Sequence, residues 1–307
     1  MTKQLYELPG IITVLNTPFT ADNRLDLPGL RRNVRVAIAA GVAGFLVPAM
    51  ASEVTKLSPA ERLVLVEAVM DETNGHLPIF AGAAAPTAKL RRQILRDLRA
   101  LGCTQVLLQI AYENDEQYRA AVLEVANEGF AVLMLQDWDF GGGGLPLPFI
   151  VRLFEEVDSF RCLKIETVPA GVKYSAVLEA TNQRLHVSGG WAVMQMLEGL
   201  ARGVHAFMPT GMHAIYTEIY RRYQAGQTDR ARTLFFEILP VLAFSNQHLD
   251  ISIHFFKRLL WRQGLHGTPA VRPPILPFDA VHQREADRLI ERVMDITARL
   301  AASGGRE

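Results

Sequence analysis

The sequence predicts an α/β protein: a parallel (β/α)8 TIM barrel with a C-terminal helical extension. Two observations carry that expectation. Eight short apolar runs, each followed by a stretch with helical spacing, occupy roughly residues 10–225. The runs are continuously apolar rather than alternating, as expected of parallel strands covered on both faces, and eight such units match a fold of roughly 250 residues. A third observation weakens the competing open, doubly wound sheet. No Gly-x-Gly-x-x-Gly turn follows the first run and no phosphate-binding Gly-rich loop ends in Lys-Ser/Thr.

In chain order, Ile11–Phe19 reads as the first strand and Leu27–Ala40 as its helix. Gly44–Met50 is the second strand. Ser58-Pro59-Ala60-Glu61 then starts a helix, with Ser as cap, Pro at the first position and Glu three residues after the cap; Asn74-Gly75 stops it. Strands at Leu77–Ala83, Gln105–Ile110, Phe130–Leu135, Arg161–Ile165 and Leu185–Ser188 alternate with helices at Thr87–Leu101, Asp115–Asn127, Leu147–Val157, Ala170–Thr181 and Trp191–Arg202. Val204–Pro209 is the eighth strand and Met212–Gln224 its helix. Beyond residue 225 three helical stretches follow without strands, at Thr228–Phe244, Asn246–Gln263 and Ala280–Ala302, with a Pro-rich connector at Gly264–Pro277. The expected organisation is therefore a barrel over 1–225, active at the C-terminal ends of its strands, and a helical extension over 226–307 packed on it.

Composition excludes several function classes. The 307 residues carry 32 Lys+Arg and 32 Asp+Glu and are 49% hydrophobic. A neutral chain has no electrostatic footprint for nucleic acid or an anionic membrane surface, and no apolar run reaches a membrane-spanning length. Two cysteines, Cys103 and Cys162, form neither a disulfide framework nor a metal-ligand spacing, and the N-terminal Met1–Leu5 lacks the apolar core of a signal peptide. The expectation is cytoplasmic, without membrane or nucleic-acid partners. The eight histidines show no spacing typical of zinc or iron ligation, so no metal and no cofactor is expected.

Only six of the 32 basic residues are lysines, and Lys164 is the one within a barrel strand, Cys162-Leu163-Lys164-Ile165-Glu166. Alternation puts Lys164 and Glu166 on one face and Leu163 and Ile165 on the other. A lysine withdrawn from water is driven toward the neutral amine that attacks a ketone or aldehyde, whereas a neighbouring carboxylate favours the ammonium. The residues alone leave both readings open, nucleophile or internal ion pair. Asp137, at the tip of the fifth strand, is a general base or the start of a turn. The run Gly141–Gly144 is a lid, an anion cradle or a flexible linker.

Several segments together resemble one family, the Schiff-base-forming lyases and aldolases grouped with dihydrodipicolinate synthase and N-acetylneuraminate lyase. Gly10–Phe19 with its Thr17-Pro18-Phe19 looks like that family's first strand. Glu53 with Leu57-Ser58-Pro59-Ala60-Glu61-Arg62 looks like its second-strand loop and helix start. Lys164 falls at the imine-forming lysine, Gly203–Ala206 at the eighth strand, and Val271-Arg272-Pro273-Pro274 at a C-terminal Arg-Pro-Pro. The likeness spans about residues 8–300.

The resemblance implies a class I lyase or aldolase in which Lys164 forms an imine with pyruvate or a related 2-keto acid, with no cofactor. It implies a homo-oligomer, tetramer or dimer, with Tyr112 near a subunit contact. The departures matter as much. The family's hydroxyl-rich second-strand motif is here Ala49-Met50-Ala51-Ser52-Glu53, leaving backbone amides at Ala51 and Ser52 to hold a carboxylate. The proton-relaying tyrosine of the fifth strand falls at Asp137, after Gln136, and the second tyrosine near Glu113. The arginine for a second carboxylate falls in Gly141–Gly144. These losses count against the lysine-biosynthetic condensation itself and leave Asp137 or Glu166 as proton carrier, with Gln136, Ser188 and Met208 lining the substrate. Sugar-acid dehydration or hydratase–aldolase chemistry through the same imine, or a non-catalytic ligand-binding barrel, are the alternatives.

Overall fold

The computed structural model describes residues 3–139 and 141–304. The expected domain limits at 1 and 307 run past that range. Eight strands form one closed sheet in sequence order: β1 (Gly10–Val14), β2 (Gly44–Val47), β3 (Ile79–Gly82), β4 (Gln105–Leu108), β5 (Val132–Asp139), β6 (Phe160–Thr167), β7 (His186–Gly189) and β8 (Ala206–Phe207). The helices between and after them are α1 (Leu27–Ala39), α2 (Pro59–Thr73), α3 (Ala88–Ala100), α4 (Asp115–Ala126), α5 (Leu147–Glu156), α6 (Gly171–Ala180), α7 (Met196–Ala201) and α8 (His213–Gln224). Three more helices complete the described chain: α9 (Thr228–Ser245), α10 (Leu249–Arg262) and α11 (Ala280–Gly304). The expected limit at residue 225 falls in the short turn between α8 and α9.

By its backbone contacts the chain divides into two compact units. One comprises the segment up to Pro9 with Pro78–Met208; the other comprises Gly10–Leu77 with the chain from Pro209 onward.

In the first unit, β3 to β8 run parallel, and the register fixes which side chains share a face. Gln136 lies opposite Lys164 and Lys164 opposite Ser188, while Leu135, Leu163 and Val187 form the neighbouring layer. Leu133, Leu135, Leu163 and Ile165 are fully buried, which secures the strands between the helices on one side and the sheet's interior on the other. Two strands are longer than the apolar runs suggest. β5 and β6 each have eight residues and reach Asp139 and Thr167, so Glu166 lies within the strand, because pairing with a neighbour continues through polar residues. The seventh helix is shorter than expected. Trp191 and Val193 have φ of 46° and 54°, which a right-handed α-helix does not accommodate, so the chain makes a short irregular turn over Trp191–Val193 before α7 starts.

In the second unit β1 and β2 pair parallel, Thr13 opposite Phe45. α2 starts as its sequence dictates: Glu61 N donates to Ser58 Oγ at 3.2 Å and Ser58 N donates to the Glu61 carboxylate at 2.9 Å. Such a reciprocal cap satisfies two otherwise unpaired amides. It ends at Asn74 in the left-handed region, φ 46°. Buried Ile238, Val241, Phe255, Leu259 and Ile290 pack α9, α10 and α11 together.

Candidate active site

Lys164 and Glu166 stand two residues apart on β6 and so project from the same face. Lys164 Nζ lies 3.0 Å from Glu166 Oε1, and the two residues are only 5% and 8% exposed. Glu166 has two further donors. Gln136, in register with Lys164 on β5, donates its side-chain amide to Oε2, and the backbone N–H of Trp191 donates to Oε1 at 2.7 Å. Three donors on one buried carboxylate fix its position without a rotamer choice left open. Ser188, fully buried on β7, completes the layer beside Lys164; its Oγ lies 3.9 Å from the sulfur of Met208. The structure thus brings together five of the expected residues: Lys164, Glu166, Gln136, Ser188 and Met208.

Asp137 is not brought into that group. It is in register with Ile165 rather than with Lys164, so its side chain leaves the opposite face of β5. There it accepts from Leu145 N at 2.8 Å, and Lys173 of α6 approaches Oδ2 at 2.5 Å as an ion pair. Burial pushes the Asp137 carboxyl above the usual aspartate range, and Lys173 and the Leu145 amide pull it back down. Lys173 also donates to Gly143 O. Asp139 accepts from Gly141 N and Gly144 N at 2.9 and 3.3 Å, so the glycine run is tied down by two carboxylates and a lysine. Gly144 has φ of +66°, and a Cβ there would stand 2.1 Å from Asp137 Oδ1; glycine is what allows the carboxylate to reach this turn.

Within the second unit, Ala51 and Ser52 lie in a short 3-10 turn after β2. Ser52 Oγ accepts from Ala49 N at 2.9 Å and donates to Leu15 O, while Ser52 N donates to Ala49 O. Asn16 Nδ2 and Thr17 Oγ1 donate to the carbonyls of Ala51 and Ser52 at 2.8 and 2.6 Å, and Thr210 Oγ1 donates to Asn16 Oδ1 at 2.7 Å. The Ser52 hydroxyl therefore shapes the turn. Glu53 follows in the left-handed region, φ 59°. Its buried carboxylate lies 2.6 Å from Lys257 Nζ on α10 and accepts from Arg272 N at 2.8 Å. Burial lowers the Lys257 amine to a pKa of about 8, with Glu53 pulling it back up. Arg272 in turn makes a two-pronged contact with Glu61. The Glu53 and Arg-Pro-Pro segments are thus joined through one buried polar cluster.

Among the described residues no group of three or more His, Cys, Asp or Glu has an arrangement that could hold a metal ion. His213 is enclosed between Thr13 Oγ1 and Asn33 Oδ1 at 3.0 and 2.9 Å, and His186 stacks on His205. Burial lowers both His213 and His186 to about 4.

Sequence reasoning missed Lys173, Lys257 and the Trp191 amide. The first two carried a signal, since lysine is scarce in this chain, but both lie on helices, where a lysine is ordinarily solvated. A backbone donor such as that of Trp191 leaves no trace in residue identity.

The family model for the Dihydrodipicolinate synthetase family matches residues 7–293. The chain is 32% identical over 291 residues to a 4-hydroxy-tetrahydrodipicolinate synthase of Xanthomonas axonopodis pv. citri, covering 92% of this chain and 93% of that one. It is 25% identical over 288 residues to an L-2-keto-3-deoxyarabonate dehydratase of Azospirillum brasilense, covering 89% of each. In fold it is similar to a dihydrodipicolinate synthase of Rhodopseudomonas palustris, with TM-score 0.86, 20% identity, and 94% and 99% of the two chains covered. It is likewise similar to a Ruminococcus gnavus sialic acid aldolase, with TM-score 0.85, 15% identity, and 95% and 99% covered. With its closed eight-stranded sheet and a family match along nearly its whole length, this chain belongs to the dihydrodipicolinate synthetase family of lyases and aldolases.

Proposed function

We propose that this enzyme is a class I lyase acting on pyruvate or a related 2-keto acid, with Lys164 as the imine-forming nucleophile and Glu166 as the proton carrier. The observation that carries the reading is the 3.0 Å contact between the two buried side chains. It lies within the 2.6–3.2 Å reach over which a positioned base takes a proton directly. Glu166 receives the Lys164 proton, the amine adds to the keto carbon, and Glu166 returns the proton to the carbinolamine hydroxyl, which leaves as water. The resulting iminium is the electron sink that makes C3 acidic, and the regenerated Glu166 carboxylate takes the C3 proton. Gln136 and the Trp191 amide hold Glu166 in place through these transfers. Asp137, whose partners are Leu145 and Lys173, acts by fixing the turn beside the site. Ser188 and Met208 line the keto acid, and the carboxylate-holding role at the second strand falls to the Ala51 amide, since that of Ser52 donates to Ala49 O.

The altered second-strand motif and the glycine run in place of a cation argue against condensation of two carboxylate-bearing partners. Dehydration through the same imine is the second reading. Its support is the dehydratase relative and an acid–base carboxylate able to protonate a departing hydroxyl. The enzyme is expected to assemble as a dimer or tetramer, which light scattering measures. Two buried free cysteines suit the reducing cytoplasm.

Borohydride reduction tests the core of the proposal. The protein is incubated with pyruvate, glyoxylate or sugar-derived keto acids, reduced and weighed. An adduct mapped to Lys164 and lost in Lys164→Arg supports the imine; no adduct with any carbonyl compound refutes it and leaves a non-catalytic barrel.

A further inference from the structure

A cavity of about 110 Å³ lies beside Glu166 in the first unit, where the ends of β6 and β7 meet the start of α6. Glu166, Gly190 and Tyr174 border it, among Ile165, Val193 and Phe207. It is smaller than the roughly 300 Å³ at which small-molecule sites begin. At about 30 Å³ per molecule it has room for about three waters. Two consecutive glycines make the space. A Cβ on Gly189 would stand 2.8 Å from Tyr174 Oη, and one on Gly190 would stand 2.1 Å from Glu166 Oε1. The phenol and the carboxylate thus lie against neighbouring residues at the end of β7.

Tyr174 is 2% exposed, and its hydroxyl makes no hydrogen bond among the described residues. Burial first, then the charge of Glu166, pushes the phenol above the usual tyrosine range, so it stays protonated. Glu166 has acceptor capacity left. An ionised carboxylate offers about four acceptor sites, and Lys164, Gln136 and the Trp191 amide take three. A water inside a protein needs about two to four polar partners. The phenol and the carboxylate supply two, and an unpartnered buried hydroxyl incurs a desolvation cost that a water relieves.

We infer that this cavity is the water site of the imine chemistry and that Tyr174 is a positioning residue, holding one water between its Oη and the carboxylate of Glu166. The inference rests on the imine reading and deepens it. In the closing step that water attacks C2 of the iminium. An O–C bond forms, the C=N π pair moves to nitrogen, and Glu166 takes the proton that the water loses and passes it to the nitrogen. The C–N bond then breaks as the new hydroxyl becomes the carbonyl; its proton goes to Glu166 and on to the departing amine. The keto acid, the Lys164 ammonium and the Glu166 carboxylate remain. Imine formation retraces these steps, so the water it expels enters the same site.

The test compares the wild-type enzyme with Tyr174→Phe, which keeps the ring and removes the hydroxyl. Oxygen exchange between pyruvate and ¹⁸O-labelled water, with Lys164→Arg giving the uncatalysed background, reads the water steps. Deuterium uptake at C3 of the borohydride-trapped Lys164 adduct, with enzyme in excess over pyruvate in D₂O, reads the proton transfer that Glu166 makes within the imine. Oxygen exchange is expected to fall about three- to tenfold, the worth of one uncharged hydrogen bond, while deuterium uptake stays within about twofold of wild type. Equal losses in both mean that Tyr174 only shapes the surroundings of Glu166 and overturn the inference, as does unchanged oxygen exchange. A crystal structure of the wild-type enzyme gives a measurement independent of the variant's folding. An ordered water bonded to both Tyr174 Oη and Glu166 is expected, and a cavity without one overturns the inference. A Lys164 adduct with wild-type oxygen exchange in Tyr174→Phe refutes this inference alone, whereas absence of the adduct with every carbonyl compound refutes the imine reading and this inference with it.

Discussion

Gly190→Ala moves Glu166, the proposed proton carrier, without changing its chemistry. Gly190 has φ of −126°, which alanine adopts freely, so the whole effect comes from the added methyl. Placed on the backbone, that carbon would stand 2.1 Å from Glu166 Oε1 and 2.6 Å from Cδ and Cγ. Carbon and oxygen in contact need a little over 3 Å, so the carboxylate must retreat by about 1 Å. The retreat stretches the 3.0 Å contact with Lys164 and the 2.7 Å bond from Trp191 N. A misplacement of about 1 Å in a catalytic constellation costs on the order of 100-fold, or about 2.7 kcal/mol of activation free energy. The overpacking itself lowers stability by roughly 1–3 kcal/mol. The assay is kcat with the best keto-acid substrate together with the single-turnover rate of imine trapping. Gly129→Ala serves as a control: φ is +80° but no atom lies within 4 Å of its Cβ, so only stability should fall. Wild-type trapping and turnover in a folded Gly190→Ala enzyme would refute the assignment of Glu166.

Other expectations follow from the same contacts. Glu166→Gln should reduce kcat by about 10²- to 10⁴-fold, the usual general-base contribution; a loss under tenfold in steady-state kinetics argues against the role. Asp137→Asn should reduce kcat less than about tenfold, and a hundredfold loss would transfer the proton-carrying role to Asp137. Lys173→Met leaves Asp137 buried without its cation and should cost about 3 kcal/mol in urea unfolding. Lys257→Met removes the nearer cation from buried Glu53, which keeps Lys56 at 3.4 Å and the Arg272 amide, and should cost up to about 3 kcal/mol in urea unfolding, with much of it recovered in the Lys257→Met/Glu53→Gln pair. For His213 and His186 the folded pKa of about 4 lies below the unfolded value of 6.5. Their contribution is complete above pH 6.5 and is lost as pH falls toward 4, by up to about 3 kcal/mol each. Unfolding free energy unchanged between pH 7 and 4.5 would refute their burial as neutral rings.

The alternation of strand and helix was legible because parallel strands enclosed on both sides must be apolar along their length. The same rule hid the ends of β5 and β6, where Trp138, Asp139 and Glu166 continue the pairing in polar letters. Lys164 was legible as a lone charge in an apolar strand, and its shared face with Glu166 followed from the two-residue period. The choice between Gln136 and Asp137 was not. Period two says that they face opposite ways, but which of them faces Lys164 depends on the register of β5 against β6, a pairing set by packing elsewhere. Lys173 escaped for a related reason. It lies two residues inside α6, where nothing local distinguishes a lysine that reaches a buried aspartate from one that reaches water.

The bond from the Trp191 amide to Glu166 has a consequence for how this enzyme is altered, in the laboratory or by descent. Glu166, the proposed proton carrier, is anchored partly to backbone, at a turn in which Trp191 and Val193 have positive φ. Substitutions in that turn shift the acid–base group while every reacting side chain keeps its identity. On the proposed role of Glu166, this turn is therefore a place where the acid–base group can be repositioned with the nucleophile left intact, at a cost in stability wherever a glycine is filled.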